Sequence, residues 1–203
     1  MTEKLTFYTN PRSRGQIVRW MLEETGQPYE TELLEYGSTM KAPDYLAINP
    51  MGKVPAIRHG DTVVTEGAAI CAYLADVFPD VGLAPPLDQR GSYYRWMFFA
   101  AGPLEAAVIN RAMGWETPEG KEVMLGYGDY NTTLDALEKA VSATDFVAGN
   151  SFTAADVYVG SHINWGMSFE TIEKRPAFET YWSRLSDRPA LQRANAISAA
   201  EQE

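Results

Sequence analysis

The stretch "NPMGKVPAI", Asn49 to Ile57, puts a proline where the surrounding residues mark the start of a buried strand. Proline has no N–H to give to a sheet ladder, so strand interiors normally exclude it. A fold built from this chain must therefore keep Pro55 at a margin of its sheet, or use the residue before it for something other than strand pairing.

The first third of the chain mixes two periodicities. Lys4–Tyr8 alternates, with Leu5 and Phe7 on one face, which predicts a strand. Ile17, Val18, Met21 and Leu22 recur at helical spacing, and Gly26 followed by Pro28 stops that helix. Tyr29–Leu34 reads as a second strand, and Pro43 opens a short helix that ends before Pro50. Val54–Ile57 and Thr62–Val64 are joined through Gly60-Asp61, a two-residue hairpin signal. A helix follows with Ile70, Tyr73, Leu74 and Val77 on one face. The predicted order is βαβ, helix, ββα.

Next comes "FPDVGLAPPLDQ", rich in proline and glycine and without periodicity, which reads as a linker. Beyond it the pattern is helical, over 88–114, 119–143, 153–170, 175–187 and a short terminal segment. Thr153-x-x-Asp156 forms a capping-box pattern that uses the shorter acid. Mixed elements followed by helices alone predict two domains of different class: α/β at 1–78, a linker at 79–87, and an all-α domain at 88–203.

Composition narrows the function. With 17 basic and 27 acidic residues, the net charge is −10, which opposes sequence-independent binding to nucleic acid or to an anionic membrane. The single cysteine, Cys71, excludes an internal disulfide and a multi-thiolate metal site. His59 and His162 lie far apart, so no metal is expected. No apolar run is long enough to span a bilayer, and Met1–Asn10 lacks a signal-peptide pattern, so the expected location is the cytoplasm.

"NPMGKVPAI", followed nine residues later by "EGAAICAYLAD", closely resembles the glutathione-binding half of cytosolic glutathione S-transferases. The βαβ, helix, ββα order is that of their thioredoxin-like domain. "FTAAD", "RPAF" and "DRPAL" resemble their helical domain, so the likeness spans essentially the whole chain. It implies a homodimeric transferase that uses glutathione as co-substrate and attacks a small hydrophobic electrophile. It also implies a cis Val54–Pro55 bond that turns the Val54 backbone outward, to pair with the cysteinyl backbone of glutathione as an added strand.

The thiol of glutathione must become a thiolate. Moving its pKa down from about 8.5 by about two units is worth roughly 2.7 kcal/mol. Hydroxyl donors and a helix N-terminus can supply this, and "FYTNPRSRGQIVRW" offers both. Ser13 stands just before the helix, where its Oγ could donate to the sulfur as in serine-type members; Tyr8 is the rival, since the ungapped likeness to the loop of tyrosine-type members sets it at their catalytic tyrosine. Ser13-x-x-Gln16 is also a capping box, Tyr8 also reads as a core aromatic, and Arg14 adds positive potential near the sulfur. Asn10 or backbone N–H groups are further candidates for the thiolate.

Glu66 is the implied partner of the γ-glutamyl ammonium. Gly67 stands where the family has a serine, leaving only a backbone N–H for the carboxylate. Lys41 and Lys53 are candidates for the glycyl carboxylate. Tyr93, Trp96, Phe99, Met113 and Trp115 are candidates for the acceptor pocket, although neighbouring Met97 and Phe98 show that part of this set is ordinary core. Cys71, His59 and His162 read as structural. The same scaffold also suits a glutathione-dependent disulfide reductase or peroxidase, and a non-catalytic carrier of hydrophobic ligands.

Overall fold

The computed structural model describes residues 3–202. It forms two compact units, one comprising the chain up to Gly82 plus the segment from Asp187 onward, the other Leu83–Ser186. This departs from a helical domain running unbroken from 88 to the end of the chain, because the last helix belongs with the first unit.

In the first unit the order is β1 (Leu5–Thr9), α1 (Gly15–Thr25), β2 (Glu30–Leu33), the single turn α2 (Pro43–Leu46), β3 (Ala56–His59), β4 (Thr62–Thr65) and α3 (Gly67–Val77). The strands lie in the order β2-β1-β3-β4, with β2 parallel to β1 and both hairpin strands antiparallel to their neighbours. A parallel pair needs a crossover, and α1 supplies it. All five residues of β1 are buried because strands flank it on both sides. Its alternation then sorts the faces. Phe7 meets the Arg19 guanidinium of α1, while Tyr8 joins Leu34, Met40, Tyr45 and Ala56 in a cluster on the α2 side.

Gly26 ends α1 in the left-handed conformation, at φ 64°. The unit is completed by α9 (Pro189–Ala200), which packs along α1. Three ion pairs join the two helices and their flanks: Arg188–Glu24 at 2.6 Å, Arg193–Glu23 at 2.9 Å and Arg19–Glu201 at 2.6 Å.

The second unit contains α4 (Gly91–Phe99), one π-helical turn (Ala100–Leu104), α5 (Glu105–Ala112), α6 (Tyr130–Ala143), α7 (Ala154–Ser168) and α8 (Pro176–Ser183). The predicted 88–114 helix is thus interrupted at Pro103, which brings no N–H to the helical ladder; the wider turn surrounds it. The expected 119–143 helix begins only at Tyr130. Gly120 and Gly128 take positive φ values of 76° and 68°, and Asp129 caps the new start by accepting from Thr132 N at 2.8 Å. Pro176 and Pro189 each sit at a helix start, where a missing N–H costs nothing.

The Thr153/Asp156 capping box is present and extends further than the pattern requires. Asp156 Oδ2 accepts from Thr153 N (2.9 Å) and Oγ1 (3.0 Å), while Oδ1 accepts from Val147 N (2.8 Å) and the Tyr181 hydroxyl (2.7 Å). Burial pushes this carboxyl above its ordinary range, against the pull of those donors. Asp156→Ala leaves several buried donors unpaired and should cost about 3–5 kcal/mol. Urea unfolding monitored by tryptophan fluorescence measures that loss.

Candidate active site

Strand register brings the sequence-predicted residues of the first unit to one edge. Tyr8 pairs with Ala56, and Ala56 with Thr65, so β1, β3 and β4 reach this edge together. Continuing from those residues, β1 leads into Asn10–Arg14, β3 is entered through Val54–Pro55, and β4 leads into Glu66–Gly67. Three segments far apart in sequence thus meet at one end of a single sheet.

The Val54–Pro55 bond is cis. The strand begins at Ala56 rather than at Val54, so the expected Val54–Ile57 strand is two residues shorter at its start. The Val54 N–H and C=O have no backbone partner among the described residues, and the residue is only half-buried. The preceding loop is held firmly. The Lys53 carbonyl accepts from the Tyr45 hydroxyl at 2.5 Å and from Asn49 Nδ2 at 2.8 Å. Lys41 Nζ donates to the carbonyls of Met51 (3.0 Å) and Gly52 (2.9 Å). Gly52, at φ 57°, has no room for a side chain: a Cβ there would lie 2.7 Å from the Met40 carbonyl oxygen. Lys41 therefore braces the loop in this structure, while the exposed Lys53 contributes its backbone.

Glu66 has φ 67° and ψ 119°, a region that side chains rarely adopt, and it stands at the N-terminus of α3. Holding a non-glycine residue there costs on the order of 1–3 kcal/mol. Its carboxylate is exposed and carries no hydrogen bond or ion pair among the described residues. The first backbone bond of α3 runs from Ile70 N to Glu66 O, so the N–H groups of Gly67, Ala68 and Ala69 have no intrahelical acceptor. An exposed carboxylate thus stands directly beside a helix N-terminus suited to an anion.

At the end of β1, Ser13 lies half-buried in the loop before α1. Its Oγ donates to the Asn10 carbonyl at 2.6 Å and accepts from Gly15 N at 2.9 Å. The expected reciprocal capping box with Gln16 is absent, because Gln16 Nε2 donates to the Pro11 carbonyl instead. Arg14 occupies the helix-cap position and is exposed. Tyr8 is buried on the α2 side, 5.7 Å from the Tyr45 ring, and burial raises its pKa, so the phenol keeps its proton at neutral pH. Gly15 permits the close approach of α1 to β1: a Cβ would lie 1.9 Å from Thr9 Oγ1.

Asn10, Tyr45 and Asn49 hold the loops of this edge as well, beyond the residues that the motifs single out. Asn10 is buried, donates from Nδ2 to the Leu34 carbonyl and accepts from Arg12 N through Oδ1. Asn49, within Asn49–Ile57, is a signal legible in the sequence, since an asparagine beside a turn commonly bonds nearby backbone. Tyr45 had no such signal, because its role depends on long-range placement.

Five aromatic or methionine residues of the second unit fall into two groups. Tyr93 and Trp96 are buried, and Phe99 is half-buried against Trp96 in an edge contact at 5.1 Å. Met113 and Trp115 are exposed, at 62% and 63%. Cys71 is fully buried and burial raises its pKa, which keeps the thiol protonated and inert. His59 Nδ1 lies 3.1 Å from the Tyr73 hydroxyl, and His162 packs on Tyr158.

Comparison with known proteins identifies the family. Residues 13–77 match the glutathione S-transferase N-terminal domain and residues 104–189 the C-terminal domain. The chain is 30% identical over 160 residues to glutathione S-transferase GstA of Escherichia coli O157:H7, covering 77% of this chain and 78% of that one. A glutathione transferase structure from Methylococcus capsulatus superposes with a TM-score of 0.79 at 28% identity, over 97% of this chain and 99% of that one. A sphingomonad glutathione S-transferase complexed with glutathione does so at 0.77 and 26%, over 96% and 98%. The chain belongs to the glutathione S-transferase family.

Proposed function

We propose that this protein is a glutathione transferase whose tripeptide site is the sheet end described above. The observation that carries the assignment is the unpaired Val54 backbone, presented beside the conformationally strained Glu66. The cysteinyl backbone of glutathione adds to Val54 as a short strand, donating to its C=O and accepting from its N–H. Pro55 supports that placement. Glu66 receives the γ-glutamyl ammonium, and the Gly67 N–H with its neighbours at the start of α3 receives the γ-glutamyl carboxylate. Lys53 meets the glycyl carboxylate, and Lys41 acts on the same region through the Met51–Gly52 loop it braces.

The thiol then lies toward the β1–α1 loop. Ser13, assisted by Arg14 and the start of α1, holds the thiolate once its hydroxyl turns from the Asn10 carbonyl to the sulfur. Tyr8 is the competing donor, and its burial in the α2-side cluster favours a packing role. The thiolate attacks the electrophilic carbon of a small hydrophobic acceptor. A carbon–sulfur bond forms, the leaving group departs with the electron pair, and the thiol proton goes to solvent. Within the second unit, Phe99, Met113 and Trp115 are the members of the aromatic set with surface to offer such an acceptor, and Tyr93 and Trp96 support them. The protein works as a cytoplasmic homodimer. Among the described residues no helix is long and apolar enough to cross a membrane.

Isothermal titration should show glutathione binding in the micromolar to millimolar range, that is, about −4 to −8 kcal/mol. No heat at millimolar glutathione would remove the assignment. Ser13→Ala should raise the pKa of the bound thiol by about one to two units and lower turnover at pH 6.5 by about 10- to 100-fold, since each unit is worth 1.36 kcal/mol. Tyr8→Phe should leave that pKa in place. The reverse pattern, read from the pH dependence of kcat/KM, would transfer the role to Tyr8.

Glu66→Gly separates stability from binding. Removing the strained side chain should stabilise the fold by about 1 kcal/mol in urea. Loss of the ammonium partner should weaken glutathione binding by at least about tenfold, the equivalent of 1.4 kcal/mol. Unchanged affinity would take Glu66 out of the site.

A further inference from the structure

Arg19 is a charged side chain only 2% exposed, and it sits on α1, the helix whose first turn follows Ser13. Its guanidinium grips Glu201 with both carboxylate oxygens, at 2.6 and 2.7 Å. The same group lies 5.2 Å from the Phe7 ring of β1 and approaches the Tyr29 hydroxyl and Thr31 Oγ1, each at 3.4 Å. One side chain thus joins α1 to β1, to β2 and to the turn after α9.

Two other pairs already fasten α9 along α1, Arg188–Glu24 and Arg193–Glu23. An ion pair whose arginine is deeply buried is a poor way to add stability, because desolvation offsets most of its attraction and apolar replacement is often neutral or better. Glu201 differs from the other two carboxylates in its location. With Gln202 it lines a cavity of about 310 Å³ that Asn10, Pro11 and Arg12 also line. Asn10 is the residue whose carbonyl holds both the N–H (3.1 Å) and the hydroxyl (2.6 Å) of Ser13.

We propose that Arg19 and Glu201 are positioning residues for glutathione activation: the pair docks the turn after α9 beside the Asn10–Arg12 loop and so holds the seat of Ser13. The inference rests on the glutathione assignment for its catalytic consequence, but the docking of the loop can be tested without substrate. Glu201→Gln keeps an acceptor oxygen for Arg19 and removes the charge. Glu201→Asp keeps the charge on a shorter arm and should restore part of the parent behaviour. Arg193→Ala, which removes the exposed arginine of another pair on the same helix, serves as the control for simple loosening of α9.

Amide hydrogen exchange of the free protein should show Arg12, Ser13 and Gly15 exchanging about tenfold faster in Glu201→Gln, and within about twofold of the parent in Arg193→Ala. With glutathione, the acid limb of the kcat/KM profile should move up by about half a pH unit in Glu201→Gln, roughly a threefold loss below it, with glutathione affinity held within about twofold. Parent-like exchange at these amides in Glu201→Gln overturns the proposal. So does faster exchange with an unmoved pH limb, or an equal response in Arg193→Ala. A parent protein that neither binds nor turns over glutathione would instead sink the assignment of the site and its catalytic consequence together, while the exchange comparison would still decide whether the pair holds the loop.

Discussion

The doubly bonded carbonyl of Lys53 is the fixed point of the site. A loop of nine residues between a single helical turn and a strand has many conformations to lose, each ordered residue costing about 1–2 kcal/mol of backbone entropy. Here Tyr45 and Asn49 pin Lys53 from beneath, and Lys41 pins the two carbonyls before it. Gly52 supplies the one backbone conformation that lets these bonds form together. With the carbonyls of Met51, Gly52 and Lys53 all occupied, Val54 is the residue in this stretch left with both backbone groups open to a ligand. The site is thus a by-product of the bonded carbonyls before it, and its rigidity is what makes an unpaired backbone useful.

The same logic explains how a chain of net charge −10 can hold an anionic tripeptide. Long-range attraction works against it, so recognition has to come from short-range groups. Backbone N–H groups at the start of α3 are uncharged, need no counter-ion and act only within hydrogen-bond reach. Replacing the family's serine by Gly67 removes a hydroxyl but leaves this N–H in place. In the proposed site, Glu66 adds a carboxylate beside a helix start suited to an anion, an arrangement that matches a ligand carrying ammonium and carboxylate on the same carbon. Local pairing of opposite charges in the ligand then offsets the unfavourable field of the protein.

Local patterns in the sequence were sufficient where short-range forces decide. The stop of α1 at Gly26, the Gly60-Asp61 hairpin and the Thr153/Asp156 box all follow from residues within a few positions of each other. The start of α6 did not, because apolar residues at Val123, Met124 and Leu125 mimic a helix that glycines at 120 and 128 prevent. The placement of α9 was hidden for another reason: Glu201 and Arg19 are 182 residues apart, and no local period records such a pair. In the site, Pro55 and Glu66 were legible as motif residues. The positive φ of Glu66 was not, since only a glycine would have announced it. Lys41 looked like a carboxylate ligand by type and position, and its carbonyl contacts depend on a loop shape that sequence alone does not specify.

Ser13 shows how far a folded arrangement can constrain chemistry that residue type leaves open. Its hydroxyl has one proton and two lone pairs, and the proton is directed at the Asn10 carbonyl while a lone pair takes the Gly15 N–H. A thiolate accepts but cannot donate, so it can recruit Ser13 only by drawing that proton away from Asn10. The exchange is favourable because a bond to an ionised acceptor is about twice as strong as one to a neutral carbonyl. The Asn10 carbonyl is not orphaned by it, since the Ser13 N–H remains bonded there. A neutral thiol offers no such gain, and Ser13 stays with Asn10. In the role proposed for Ser13, the resting bond makes the serine selective for the ionised form of sulfur, which is the selectivity that lowers a thiol pKa.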